Sequence, residues 1–97
     1  MSEGTVGAIG FIERRKLGLT FGNALRVARK LHAEGALVTD DPQMAAAQVA
    51  AAMVAENPAA FQAAAGADWG TFFEQLIAFF EKIMPLILKL IEIFGGI

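Results

Sequence analysis

The sequence predicts an all-α protein: a small bundle of three to four helices, with a glycine-rich N-terminal arm and a long amphipathic C-terminal helix. Three observations support this fold class. Capping residues, prolines and glycines mark the starts and ends of helices along the chain. The middle of the chain is rich in alanine, the strongest helix former. The last third collects its polar side chains on one side of a helix.

The N-terminal arm is predicted over residues 1–19, which also contain a basic segment. Gly4, Gly7 and Gly10 are spaced three apart, and each glycine disfavours a helix by about 1 kcal/mol. A close-packed helical face is the alternative explanation of this spacing. Residues 20–97 are expected to form a single helical domain, since 97 residues make one domain at most.

The first helix is predicted over residues 20–34. Thr20 is a good N-cap residue, and Gly35 suits the position that follows a C-cap. Apolar residues at i, i+4 and i+7 predict one buried face for this helix. They are Phe21, Leu25, Ala28 and Leu31.

Two alanine-rich helices are predicted next, over residues 42–56 and 58–65. Two aspartates stand directly before Pro42, so a carboxylate can cap the helix while proline occupies its first turn. Asn57 is expected to cap the shorter helix, and Gly66 to end it. Alanine has little volume, so both helices should let a neighbouring backbone come close.

The last helix is predicted over residues 71–94, starting with a capping box formed by Thr71 and Glu74. Its polar side chains all fall within a band about 120° wide, at 100° per residue. Pro85 lies in the same band, where it should bend one continuous helix; two shorter helices are the alternative.

The remaining two-thirds of this helix surface is apolar, which is wider than the stripe of an ordinary surface helix. The chain as a whole is also 56% hydrophobic, above the roughly 45–50% of typical domains. We therefore expect a second surface, either protein or lipid, to cover part of the helix. The residues predicted to face it are Phe72, Phe73, Leu76, Phe80, Ile83, Met84, Ile87, Leu90, Ile91 and Phe94.

The leading functional hypothesis is a non-enzymatic structural protein that self-associates through this helix within a coat, filament or virion-like particle. One alternative is a peripheral membrane or membrane-active protein that uses the same helix as an interfacial anchor. A second alternative is a small binding module that contacts nucleic acid through a basic helix. A membrane span is disfavoured, because Glu81, Lys82, Lys89 and Glu92 would each cost about 2.5–3.5 kcal/mol near the bilayer centre.

The sequence contains no pattern that predicts catalysis, a metal site or a cofactor. There is no cysteine, and the single histidine, His32, lacks the nearby ligands that a metal site needs. No phosphate-binding glycine loop or serine–histidine–acid arrangement is found. We therefore predict that the protein is not an enzyme and binds no cofactor.

Basic side chains in the first third of the chain form a second candidate surface, for contact with a polyanion. They are Arg14, Arg15, Lys16, Arg26, Arg29 and Lys30. Nucleic acid is the less favoured partner, because net charge is −2 and no aromatic residue lies among the basic ones. Further copies of the chain, or other subunits of an assembly, are the expected partners. The N-terminus lacks a secretory pattern, which predicts a cytoplasmic location or one within an assembled particle.

Overall fold

The structure is a computed structural model that describes residues 15–94. Over that range the chain forms a small all-α bundle, which confirms the predicted fold class. Its principal extents are 43 × 26 × 20 Å. The predicted arm up to residue 14, with its three regularly spaced glycines, lies outside the described residues. The principal helices are α1 (Phe21–Ala33), α2 (Pro42–Glu56), α3 (Pro58–Ala65) and α4 (Trp69–Phe94).

The first two helices start where the sequence predicts, and capping explains both positions. The Thr20 hydroxyl accepts a hydrogen bond from the Asn23 N–H at 3.1 Å. The Asp41 carboxylate accepts from the N–H groups of Gln43 and Met44, at 3.1 and 3.3 Å. These bonds satisfy backbone donors that a helix start leaves without partners.

Glycines follow the ends of α1 and α3, as predicted. Gly35 and Gly66 have φ values of +75° and +66°, in the left-handed region that glycine adopts without a steric penalty. Asn57 separates α2 from α3, but its side chain makes no capping hydrogen bond. Asn57 is nevertheless the N-cap residue of α3, as predicted, and its backbone carbonyl accepts the Phe61 N–H at 3.3 Å.

The predicted start of α4 is also wrong. The helix begins at Trp69, two residues earlier than expected, and the Asp68 carboxylate accepts the Thr71 N–H at 3.1 Å. Thr71 is therefore already inside the helix and cannot serve as the N-cap of a capping box. Because an acceptor stands just before Trp69, the first turn can form earlier. The helix continues through Pro85 to Phe94, which confirms one helix rather than two.

The core lies between α4 and the other helices, with α2 as the main packing partner of α4. Ala45, Ala46 and Ala50 of α2 are completely buried. Their small side chains let the two helices approach closely, as the sequence analysis expected of the alanine-rich segments. Leu17 and Leu19, at the predicted end of the arm, are also buried and belong to this core.

Candidate interaction surface

The chain itself buries six of the ten residues predicted to face a partner. These six residues are Phe72, Leu76, Phe80, Met84, Ile87 and Ile91, none of them more than 8% exposed. The expectation that they meet a partner or lipid is therefore corrected: α1, α2 and α3 already cover them. The physical reason is the close approach of alanine-rich α2, which brings the bundle around one face of α4. Phe73, Ile83 and Leu90 are half-buried, and Phe94 is 49% exposed.

A second apolar row on α4 remains in contact with solvent, and we call it the α4 stripe. It consists of Phe79, Ile83, Leu86, Leu90 and Ile93. Leu86 is 55% exposed and Ile93 is 59% exposed, while the other three members are half-buried. The stripe lies about 90° around the helix from the centre of the buried face. Sequence reasoning missed Leu86 and Ile93, the two residues that matter most to it.

The spacing of the α4 stripe distinguishes it from the buried face. Its members follow one another at intervals of 4, 3, 4 and 3 residues, which is the a/d pattern of a heptad repeat. The buried face begins with intervals of 4, 4 and 4 instead. The packing of α1, α2 and α3, rather than this spacing alone, decides which of the two rows is buried.

Charged side chains are sorted around α4. Lys82 and Lys89 are exposed on the border of the α4 stripe that faces away from the core. Glu74, Glu81 and Glu92 lie beyond these lysines, about 150° around the helix from the centre of the stripe. The charged residues nearest to the α4 stripe are therefore lysines, and the glutamates lie farther from it.

The residues of the predicted basic surface do not form one surface, because they line two different grooves. Lys16 lines a shallow groove with Ala60, Ala63 and Ala64 of α3. Arg26, Arg29 and Lys30 instead line a groove with the end of α4. Arg15 is exposed, and Arg14 lies outside the described residues.

Arg26 is engaged within the chain. Its guanidinium donates two hydrogen bonds to the Glu56 carboxylate, at 3.1 and 2.9 Å. This contact raises the pKa of Arg26 and holds the pKa of Glu56 below its ordinary value. Both side chains are solvated, so the pair is open to screening by salt. Arg29 and Lys30 form no ion pair with another described residue.

The groove between α1 and the end of α4 has a volume of about 560 Å³. Its apolar side chains belong to Leu25, Leu90, Ile91 and Phe94. Arg26, Arg29 and Lys30 provide its charge, and no carboxylate lines it. The groove thus combines an apolar surface with a cationic rim.

Residues 15–94 also bear on metal binding and on a membrane span. No group of histidine and carboxylate side chains there is arranged to hold a metal ion. None of the helices in the same range is long and apolar enough to cross a membrane. His32 lies at the end of α1 and lines grooves on both sides of it.

Comparison with known protein families, with curated proteins and with solved structures finds no match to this chain. The arrangement of its own residues is therefore the basis on which a function can be proposed.

Proposed function

We propose that the protein is a non-enzymatic structural component of a multi-copy assembly, and that copies associate by packing α4 stripe against α4 stripe. The observation that supports this proposal is the exposure of Leu86 and Ile93 within a row of heptad spacing. Alternation of three and four residues keeps an apolar row facing a second helix. Scattered exposed apolar residues, which are normal on any surface, have no such order.

The length of the stripe is sufficient for pairing because α4 is already folded. From Phe79 to Ile93 the stripe extends about 21 Å, or two heptads, at 1.5 Å per residue. A free helix of that length is marginal in water. Here the opposite face of α4 packs in the core, so association need not supply the free energy of helix formation.

Charge substitutions at the most exposed positions test the proposal. In Leu86→Glu/Ile93→Glu the new carboxylates lie in solvent in the isolated chain, so the fold and the circular dichroism should be retained. In the assembly they would be buried without partners, at a cost of several kcal/mol. We expect the wild type to be oligomeric by light scattering coupled to size exclusion, and the variant to be monomeric.

Met44→Glu is the matched control, because Met44 is 51% exposed on α2 and lies off the stripe. This variant should keep the molar mass of the wild type. A wild-type monomer at millimolar concentration would refute the proposal, as would an unchanged oligomer in the double variant.

A second candidate function is peripheral membrane binding through the same stripe, and the sorting of charge around α4 favours it. Lys82 and Lys89 border the apolar row, as in helices that lie in the interface of anionic membranes. Flotation with vesicles separates the two functions. Membrane binding predicts that anionic vesicles retain the protein, that neutral vesicles retain less, and that Lys82→Ala/Lys89→Ala weakens retention. No retention by either kind of vesicle would exclude this candidate.

A further inference from the structure

A groove of the size that small ligands occupy lies where α1 passes the end of α4. The groove there has a volume of about 560 Å³, within the roughly 300–1,000 Å³ of small-molecule sites. Leu90, Ile91 and Phe94 give it an apolar wall on the α4 side, and Leu25 adds to this wall from α1. Such a surface suits a hydrocarbon chain better than a polar metabolite.

The charge of the rim decides which kind of hydrocarbon ligand fits. Arg29 and Lys30 lie on the rim and form no ion pair within the described residues, whereas Arg26 is hydrogen-bonded to Glu56. Lys30 is also within electrostatic reach of the Glu56 carboxylate, so Arg29 is the cation less engaged by the chain itself. None of the side chains that line the groove is acidic. A ligand with one anionic head and one apolar tail would satisfy both parts of the groove at once.

We infer that this groove binds a medium-chain fatty acid anion, with the carboxylate at Arg29 and Lys30 and the acyl chain along Leu90, Ile91 and Phe94. The inference goes beyond self-association, because neither cationic residue belongs to the α4 stripe. Leu90 is shared by both surfaces, so a bound acyl chain would lie beside the proposed contact between copies.

Calorimetric titration of the whole chain with octanoate, decanoate and dodecanoate, each below its micelle concentration, tests the inference. We expect saturable binding of one anion per chain. Affinity should rise with length, by up to about fourfold for each methylene group that is buried. Dodecyl maltoside, which has the same tail and a neutral head, should bind at least about tenfold more weakly.

Two pairs of substitutions separate the groove from charge in general. Arg29→Ala/Lys30→Ala should weaken dodecanoate binding by about tenfold or more, because the carboxylate loses its charge-assisted partners. Lys82→Ala/Lys89→Ala removes the same charge from α4 outside the groove and should leave the affinity unchanged. Phe94→Ala should weaken the longest acid more than the shortest.

Three results would overturn the inference. They are no saturable binding of dodecanoate, equal binding of dodecyl maltoside, or an equal loss of dodecanoate affinity in Arg29→Ala/Lys30→Ala and Lys82→Ala/Lys89→Ala. Retention of the protein on anionic vesicles without binding of monomeric dodecanoate would also overturn it, in favour of a membrane surface. Loss of ligand binding must also be separated from loss of self-association. For this purpose the molar mass of Arg29→Ala/Lys30→Ala is measured without ligand. That mass should equal the wild-type mass.

Discussion

At the scale of single residues, Gln48 fixes the connector between α1 and α2. Its side-chain oxygen accepts the Val38 N–H at 2.8 Å, and its amide donates to the Ala36 carbonyl at 2.9 Å. The connector has no regular structure of its own, so these bonds replace the partners that a helix would give its backbone. A glutamine in an alanine-rich helix gives no sign of this role in the sequence.

Gln48→Ala should lower the free energy of unfolding by about 1–3 kcal/mol, because a half-buried backbone N–H loses its acceptor. Denaturation with urea, followed by circular dichroism, measures the change. Gln62→Ala, at an exposed position on α3, serves as control and should be within about 0.5 kcal/mol of wild type. Equal effects of the two substitutions would show that the Gln48 bonds contribute nothing specific.

The ion pair between Arg26 and Glu56 should make stability depend on pH in one direction. The hydrogen bond from Arg26 lowers the pKa of Glu56 in the folded chain, so the unfolded chain binds a proton more readily. The stabilisation is therefore complete above the ordinary glutamate pKa of about 4.3 and disappears as pH falls through the lower folded value. Both groups are solvated, so the effect should be small and should shrink in salt.

Thermal melts of Glu56→Gln and wild type at pH 7 and pH 3 check this expectation. The variant should melt slightly below the wild type at pH 7 and together with it at pH 3. Glu34→Gln, which removes a carboxylate that forms no ion pair with a described residue, should show no such change with pH. A difference for Glu56→Gln that persists at pH 3 would contradict the assignment.

At the scale of the element, α4 contains an internal proline that the rest of the helix tolerates. Pro85 lacks the N–H that would bond the carbonyl of Glu81, and it lies on the exposed side of the helix. Water can therefore reach the carbonyl that the proline leaves without its usual partner. This exposed position agrees with the place of Pro85 in the polar band predicted from the sequence.

Pro85→Ala should raise the free energy of unfolding, by up to about 3 kcal/mol, because the missing backbone hydrogen bond is restored at a solvated position. Ala78→Pro, one heptad earlier on the same exposed side, should lower it by a similar amount. Chemical denaturation measures both variants. A neutral or destabilising effect of Pro85→Ala would contradict this expectation.

At the scale of the whole molecule, the fold depends on the close contact between α2 and α4. Ala46 and Ala50 of α2 are completely buried, as are Phe80, Met84 and Ile87 of α4, so small side chains on α2 leave room for large ones on α4. The same alanines explain why the chain covers more of α4 than its sequence suggests. The large side chains of this core come from α4, and the small side chains of α2 allow the two helices to lie close together.

Ala50→Leu should therefore destabilise the bundle by about 1–3 kcal/mol or more, because the added methylene groups have no space between the helices. Ala51→Leu changes an exposed position next to it and should have little effect. Urea denaturation compares the two variants. Similar stabilities would mean that α2 and α4 are packed less closely than the structure shows.

Local signals in the sequence determined the positions of the helices well. Thr20, Asp41, Gly35 and Gly66 act through hydrogen bonds and backbone angles that involve only their near neighbours, so a reader of the sequence can assign them. The start of α4 was missed for a related reason. Both Asp68 and Thr71 are good caps, and the local pattern does not say which of them is used.

Only the tertiary structure decided which apolar residues of α4 are buried and which remain exposed. The sequence showed that α4 has more apolar surface than one neighbour covers, but it did not divide that surface into a buried row and the α4 stripe. That division depends on where α1, α2 and α3 pack, which is set by contacts between residues far apart in the chain. For the same reason, the groove at Arg29 and Lys30 exists only once α1 lies across the end of α4.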